Sequence, residues 1–130
     1  MSTYIDGFVF PIRRAHLEEY VAVAKKVAHV WQEYGALAYH EYLGDELQLE
    51  GTRSFLDLVE AKADEVVIFG WMIFPSKAVR DLAFQQVSTD PRMKAQEGPL
   101  MDPTKRIFDA SRMFFGGFQP LLQVGSNGDN

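Results

Sequence analysis

Ten consecutive residues, EVVIFGWMIF from Glu65 to Phe74, limit the folding options of this chain more than any other stretch. The run falls well short of the roughly 18 apolar residues that a membrane span needs. It has the length of a strand, and its near-continuous apolar character predicts burial on both faces, as in the centre of a sheet. The flanking patterns supply the rest of that sheet. TYIDGFVFPI near the N-terminus alternates, with Tyr4, Asp6, Phe8 and Phe10 on one face and Ile5, Gly7 and Val9 on the other. From about Arg14 to Tyr34 the period lengthens: Leu17, Tyr20, Val21, Ala24, Val27, Ala28 and Trp31 trace one stripe of an amphipathic helix. Gly35 is the left-handed stop of that helix.

Residues 36–43 predict a second strand, with Leu37, Tyr39, Glu41 and Leu43 on one face and Ala38, His40 and Tyr42 on the other. A polar stretch over 44–64 holds a short helix after Thr52, and the Glu65–Phe74 strand follows. Ser76 caps a second long helix carrying Val79, Leu82, Ala83, Gln86 and Val87 along one side. Asp90 and Pro91 open a short helix, residues 94–110 read as a Gly/Pro-broken loop, and Ser111–Val124 as the last strand. Its paired glycines, Gly116 and Gly117, mark a bulge or a close backbone approach.

The order is strand-helix-strand, twice. That is the ferredoxin-like βαββαβ plan, an α+β fold with an antiparallel four-stranded sheet, filling residues 1–124 as one domain before a tail at 125–130. Helices on one side leave the other sheet face bare. Phe8, Phe10, Phe69, Trp71, Phe114 and Phe118 form too large an aromatic set to leave in water. A second copy is the simplest cover, so the pattern predicts a homodimer whose sheets meet as a dimeric α/β barrel.

The segments YIDGFV, EYGAL followed by a strand glutamate, WMIFPSKAVRD, DPRM and FDASRMFFGGF resemble the YbaA-like family of uncharacterised bacterial proteins, over about Tyr4 to Phe118. The resemblance implies the dimeric α/β-barrel superfamily and no assigned activity. Glu41 matches the strand glutamate of that pattern, whereas His40 lies outside it. Two departures stand out. Trp71-Met72-Ile73-Phe74 replaces a strand that tends to carry an acid, and Gly116-Gly117-Phe118-Gln119 replaces Gly-Gly-Phe-Glu. Some relatives carry an RNA-related label. The net charge of −5 and basic residues that cluster only in pairs give it no support, because nucleic-acid affinity comes from massed Lys and Arg.

Cysteine is absent, which removes disulfides and thiolate chemistry, and three histidines lack metal-ligand spacing, so neither a metal nor a cofactor is implied. The N-terminus lacks a basic export signal, so the expected location is the cytoplasm. Among candidate groups, Glu41 is foremost: a carboxylate on a partly buried strand face has a raised pKa and suits acid/base work near neutral pH. Its neighbour His40 points to the opposite face, so the two form no dyad. Tyr20, Trp31, Trp71 and Arg112 are placed around a pocket between sheet and helices. Asp6, on a central strand, requires a partner for its charge, and Arg112 on the neighbouring last strand is assigned to it. Arg80 and Asp81 lie off the apolar stripe and read as solvated charges or an intersubunit bridge. Phe84 faces a second surface. Two functions fit: a binder of a small apolar or aromatic molecule, extending to cofactor-independent catalysis through Glu41, or a non-enzymatic homodimer.

Overall fold

The computed structural model describes residues 3–101 and 106–125. Four strands form one antiparallel sheet: β1 (Tyr4–Arg13), β2 (Ala38–Leu43), β3 (Glu65–Phe74) and β4 (Phe114–Phe118), in the order β2-β3-β1-β4. Helix α1 (Leu17–Glu33) follows β1 through a 3-10 turn, α2 (Phe55–Leu58) precedes β3, and α3 (Lys77–Ser88) and α4 (Pro91–Met101) lie between β3 and β4. This is the ferredoxin-like arrangement, with β1 and β3 central and paired over their full length from Tyr4↔Phe74 to Arg13↔Glu65. Gly35 ends α1 at φ +123°, a value open to glycine and strained for other residues. The Ser76 hydroxyl accepts from the Val79 N–H at 3.2 Å and starts α3.

The register decides which side chains face the helices. Phe8, Phe10 and Ile12 of β1 join Val66 and Ile68 of β3 and Tyr20 of α1 in one buried cluster, and Met72 and Phe74 join Ala36 and Ala83 in another. Phe8 and Phe10 therefore belong to the helix-side core and not to the bare face. Full burial of a phenylalanine is worth about 1.5–3 kcal/mol, so these rings pin the register of β1. On the opposite face, Val59 and the residues around α2 cover Val9 and Val67 at one end. Beyond that patch Tyr42, Phe69, Phe114 and Phe118 remain 44–59% exposed.

Asp6 is fully buried, and its partner is Arg80, not Arg112. Arg80 Nη2 donates to Oδ1 at 2.8 Å and Nε donates to Oδ2 at 3.1 Å. The antiparallel register explains the correction: Asp6 lies opposite Gly117, so Arg112, in the 3-10 turn ahead of β4, falls at the other end of the sheet. There it grips Glu65 at 2.6 and 2.9 Å. Arg80 is thus no freely solvated charge: it pairs within the chain, and its guanidinium also packs 4.2 Å from the Phe84 ring centroid. Phe84 in turn meets Trp31 and Phe115 of the same chain.

Two boundaries shift. Helix α4 continues to Met101 through Gly98 and Pro99, where the sequence reads as loop. Strand β4 stops at Phe118 instead of running to Val124, because Ile5, its last partner, lies near the start of β1 and Pro120 has no N–H to donate. The β1–β4 register is unbroken, so Gly116 and Gly117 serve close approach and not a bulge: a Cβ on Gly117 would run into the Tyr4 ring. Residues 126–130, most of the expected tail, lie outside the described residues.

Candidate functional site

Strand alternation puts Tyr39 and Glu41 on the helix side of β2, and the register sets Glu41 beside Gly70 of β3, followed by Phe8 of β1 and Phe115 of β4. Gly70 is what makes this row possible. A Cβ there would lie 2.5 Å from the His40 carbonyl and 2.7 Å from the Phe8 ring. Without one, Phe8 lies flat across the strand and stacks on Phe115 with planes 8° apart.

Over this floor α1 delivers Tyr20. Its hydroxyl lies 2.8 Å from both oxygens of Glu41, and the Tyr39 hydroxyl donates to Oε2 at 2.8 Å. The half-buried carboxylate is held by these two tyrosines, whereas Leu37 and Leu43, the flanking residues of the same face, are about half exposed at 58% and 48%. Burial pushes the Glu41 carboxyl above its ordinary value, and the two hydroxyl hydrogen bonds pull the other way without cancelling it. Burial, with the charge of Glu41 second, drives both tyrosines far up, so both keep their protons and act as donors.

The carboxylate opens into a cavity of about 380 Å3 between sheet and helices. Phe8, Tyr39, Met72 and Phe115 form its floor, Val23, Val27 and Trp31 of α1 one wall, and Met93, Gln96, Glu97 and Leu100 of α4 another. Of the residues placed around a pocket by sequence, Tyr20 and Trp31 line it together with Glu41. Trp71 and Arg112 do not. Trp71 pairs with Gly7 and His40 on the far face and stacks on Tyr42 with centroids 5.4 Å apart, because the two-residue period turns Gly70 and Met72, not Trp71, toward the helices. His40 likewise rests on Trp71, across the sheet from Glu41. The α4 wall is absent from the sequence reading, although Met93, Gln96, Glu97 and Leu100 carry a helical i, i+3, i+4, i+7 spacing. Gly98 and Pro99 obscure it.

Among the described residues no helix is long and apolar enough to cross a membrane, and no three His, Cys, Asp or Glu side chains converge as metal ligands.

Fold and site together define a ferredoxin-like α+β domain with an acid-bearing apolar cavity. The chain belongs to the family described as "Protein of unknown function (DUF1428)", whose model matches residues 3–108. It is 36% identical over 119 residues to the uncharacterised protein YbaA of Escherichia coli K12, covering 92% of this chain and 97% of that one. Similar solved structures include a NIPSNAP family protein of Agrobacterium tumefaciens (TM-score 0.58, 13% identity, 98% and 99% covered). Another is SnoaB, a cofactor-independent oxygenase from Streptomyces nogalater (TM-score 0.55, 11% identity, 96% and 97% covered). A third is a dimeric ferredoxin-like protein from an uncultured marine organism (TM-score 0.51, 11% identity, 96% and 97% covered). At such identities these three share the fold and nothing finer.

Proposed function

We propose that the cavity beside Glu41 binds a small, largely apolar molecule and that Glu41 exchanges a proton with it, without a cofactor. The observation that carries this reading is a carboxylate held by two tyrosine hydroxyls at the wall of an otherwise apolar cavity of about 380 Å3. That volume suits a small ligand, near the lower end of the roughly 300–1,000 Å3 of small-molecule sites. A carboxyl raised above its ordinary value gives and takes protons more readily near neutral pH. SnoaB, which is a cofactor-independent oxygenase on the same fold, lends the reading support by analogy. The test is an NMR titration of the Glu41 carboxyl in the unliganded protein. A midpoint above the ordinary glutamate range is expected; an ordinary midpoint would remove the acid/base role.

The open sheet face favours a second feature, a homodimer. Phe69, Phe114 and Phe118 border a groove of about 500 Å3 over Gly7 and Gly116, large for a surface left in water. The dimeric ferredoxin-like neighbour supports the same reading. Light scattering should give twice the chain mass for the native protein and the chain mass for Trp71→Glu. A native monomer at micromolar concentration would overturn it.

A further inference from the structure

Among the described residues, Asp6, Asp90, Glu65 and Glu41 are carboxylates drawn at least partly out of water, and the first three each have an arginine. Asp6 is held by Arg80, Asp90 by Arg92 and Glu65 by Arg112, each with an N–O distance of 2.8 Å or less. Glu41 is the fourth. Its partners are the neutral hydroxyls of Tyr20 and Tyr39, and no cation among the described residues acts on it. Among the described residues, the cavity lining contains no lysine, arginine or histidine either, and its other charged member, Glu97, is a second carboxylate at the exposed side.

We propose that the missing cation arrives with the ligand: the Glu41 cavity is a site for an organic ammonium, an amine carrying an apolar or aromatic body. The proposal rests on the reading that this cavity binds a small molecule, and it names the class.

Hydrogen-bond inventory supports an incoming donor. Oε2 accepts from Tyr39 and shares the Tyr20 hydroxyl with Oε1, so Oε1 carries the lighter load and keeps an acceptor position. Both tyrosine protons are committed to Glu41, which leaves the cluster with acceptors to offer and no spare donor. An anionic ligand meets two carboxylates and no compensating charge. An ammonium meets a carboxylate in a poorly solvated site, and its organic body meets Phe8, Trp31 and Phe108, aromatic rings that favour a cation nearby. Proton exchange is balanced within the pair. When the ammonium N–H bond breaks, an O–H bond forms on Oε1, and both partners become neutral together.

Three probes of matched size separate the possibilities: phenethylammonium, 2-phenylethanol and 3-phenylpropanoate. Binding to the full chain is followed through the methyl signals of Met72, Met93 and Met113, which line the cavity. Phenethylammonium is expected to bind about tenfold or more tighter than 2-phenylethanol, as a charge-assisted contact in a desolvated site predicts, with 3-phenylpropanoate weakest. Saturation with the ammonium should also lower the Glu41 titration midpoint. In Glu41→Gln the preference for the cation should vanish while 2-phenylethanol still binds, which shows that the cavity has folded. If that variant fails to fold, the probe ranking and midpoint in the native chain decide alone. Equal or tighter binding of the alcohol overturns the ammonium assignment and leaves the small-molecule cavity standing. Tightest binding of the carboxylate probe overturns the assignment as well. Failure of all three probes to shift any of the methionine methyls overturns both.

Discussion

Asp6 and Glu41 share the helix-facing side of one sheet and answer the same problem in opposite ways. Asp6 is fully buried, and a guanidinium neutralises it in place. Glu41 is only half-buried, yet it receives hydrogen bonds and no countercharge. Burying a charge is tolerable only with a partner. The first arrangement completes itself inside the chain and reads as framework; the second stays electrostatically unfinished and faces a cavity. Among the described carboxylates with a shifted pKa, Glu41 is the one pushed up, while Glu33, Glu65, Asp81, Asp90 and Asp109 are pulled down by basic or hydrogen-bonding partners.

The largest effect should come from breaking the framework pair. Arg80→Met leaves Asp6 charged and alone, and is expected to remove about 3–5 kcal/mol of stability by urea unfolding. Adding Asp6→Leu should restore much of that loss. A single-variant loss below about 1 kcal/mol would erase the contrast with Glu41. Gly70→Ala attacks the other side: its methyl meets the His40 carbonyl and the Phe8 ring, and should cost about 1–3 kcal/mol while pushing Phe8 into the cavity. Loss of probe binding beyond the stability loss would tie Gly70 to the shape of the site. Tyr39→Phe should cost about 1 kcal/mol and raise the Glu41 midpoint further, because the lost hydrogen bond favours the charged form. An unchanged midpoint would assign that role to Tyr20 alone.

The smallest effect is a difference in sign with pH. Because the folded-state pKa of Glu41 is raised, its contribution is present below the ordinary value of 4.5 and is lost as pH rises from there through the folded value. Relative to Glu41→Gln, the native protein should weaken over that interval. Asp90, pulled down by Arg92, behaves in reverse: its contribution is present above the ordinary 3.8 and disappears as pH falls toward the depressed folded value. Thermal melts of Glu41→Gln and Asp90→Asn across acidic pH should diverge from the native curve in opposite directions.

The ferredoxin-like plan was legible in the sequence because the strand and helix periods alternate cleanly and Gly35, Ser76 and Asp90 mark boundaries through local chemistry. Glu41 and Tyr20 were legible because each sits on the apolar side of its own element. What escaped depends on register and on distances that no local pattern carries. Arg80 lies 74 residues from Asp6 in the chain, and only the packing of α3 against the sheet joins them. Trp71 stands between Gly70 and Met72, and choosing its face requires knowing that Tyr39 pairs with Met72. Helix α4 hid behind Gly98 and Pro99, whose low helix propensity is overridden by packing against α1 and by the Ile107 and Phe108 N–H groups that donate to the Leu100 carbonyl.

The register that sent Trp71 away from Trp31 has an optical consequence. The chain has two tryptophans, one lining the cavity and one bordering the groove on the far side of the sheet. Each face thus carries its own intrinsic fluorophore. With Trp71→Phe the remaining emission reports what enters the cavity, and with Trp31→Phe it reports what covers the open face. Ligand uptake and self-association can then be followed as separate signals, with no label attached to the protein.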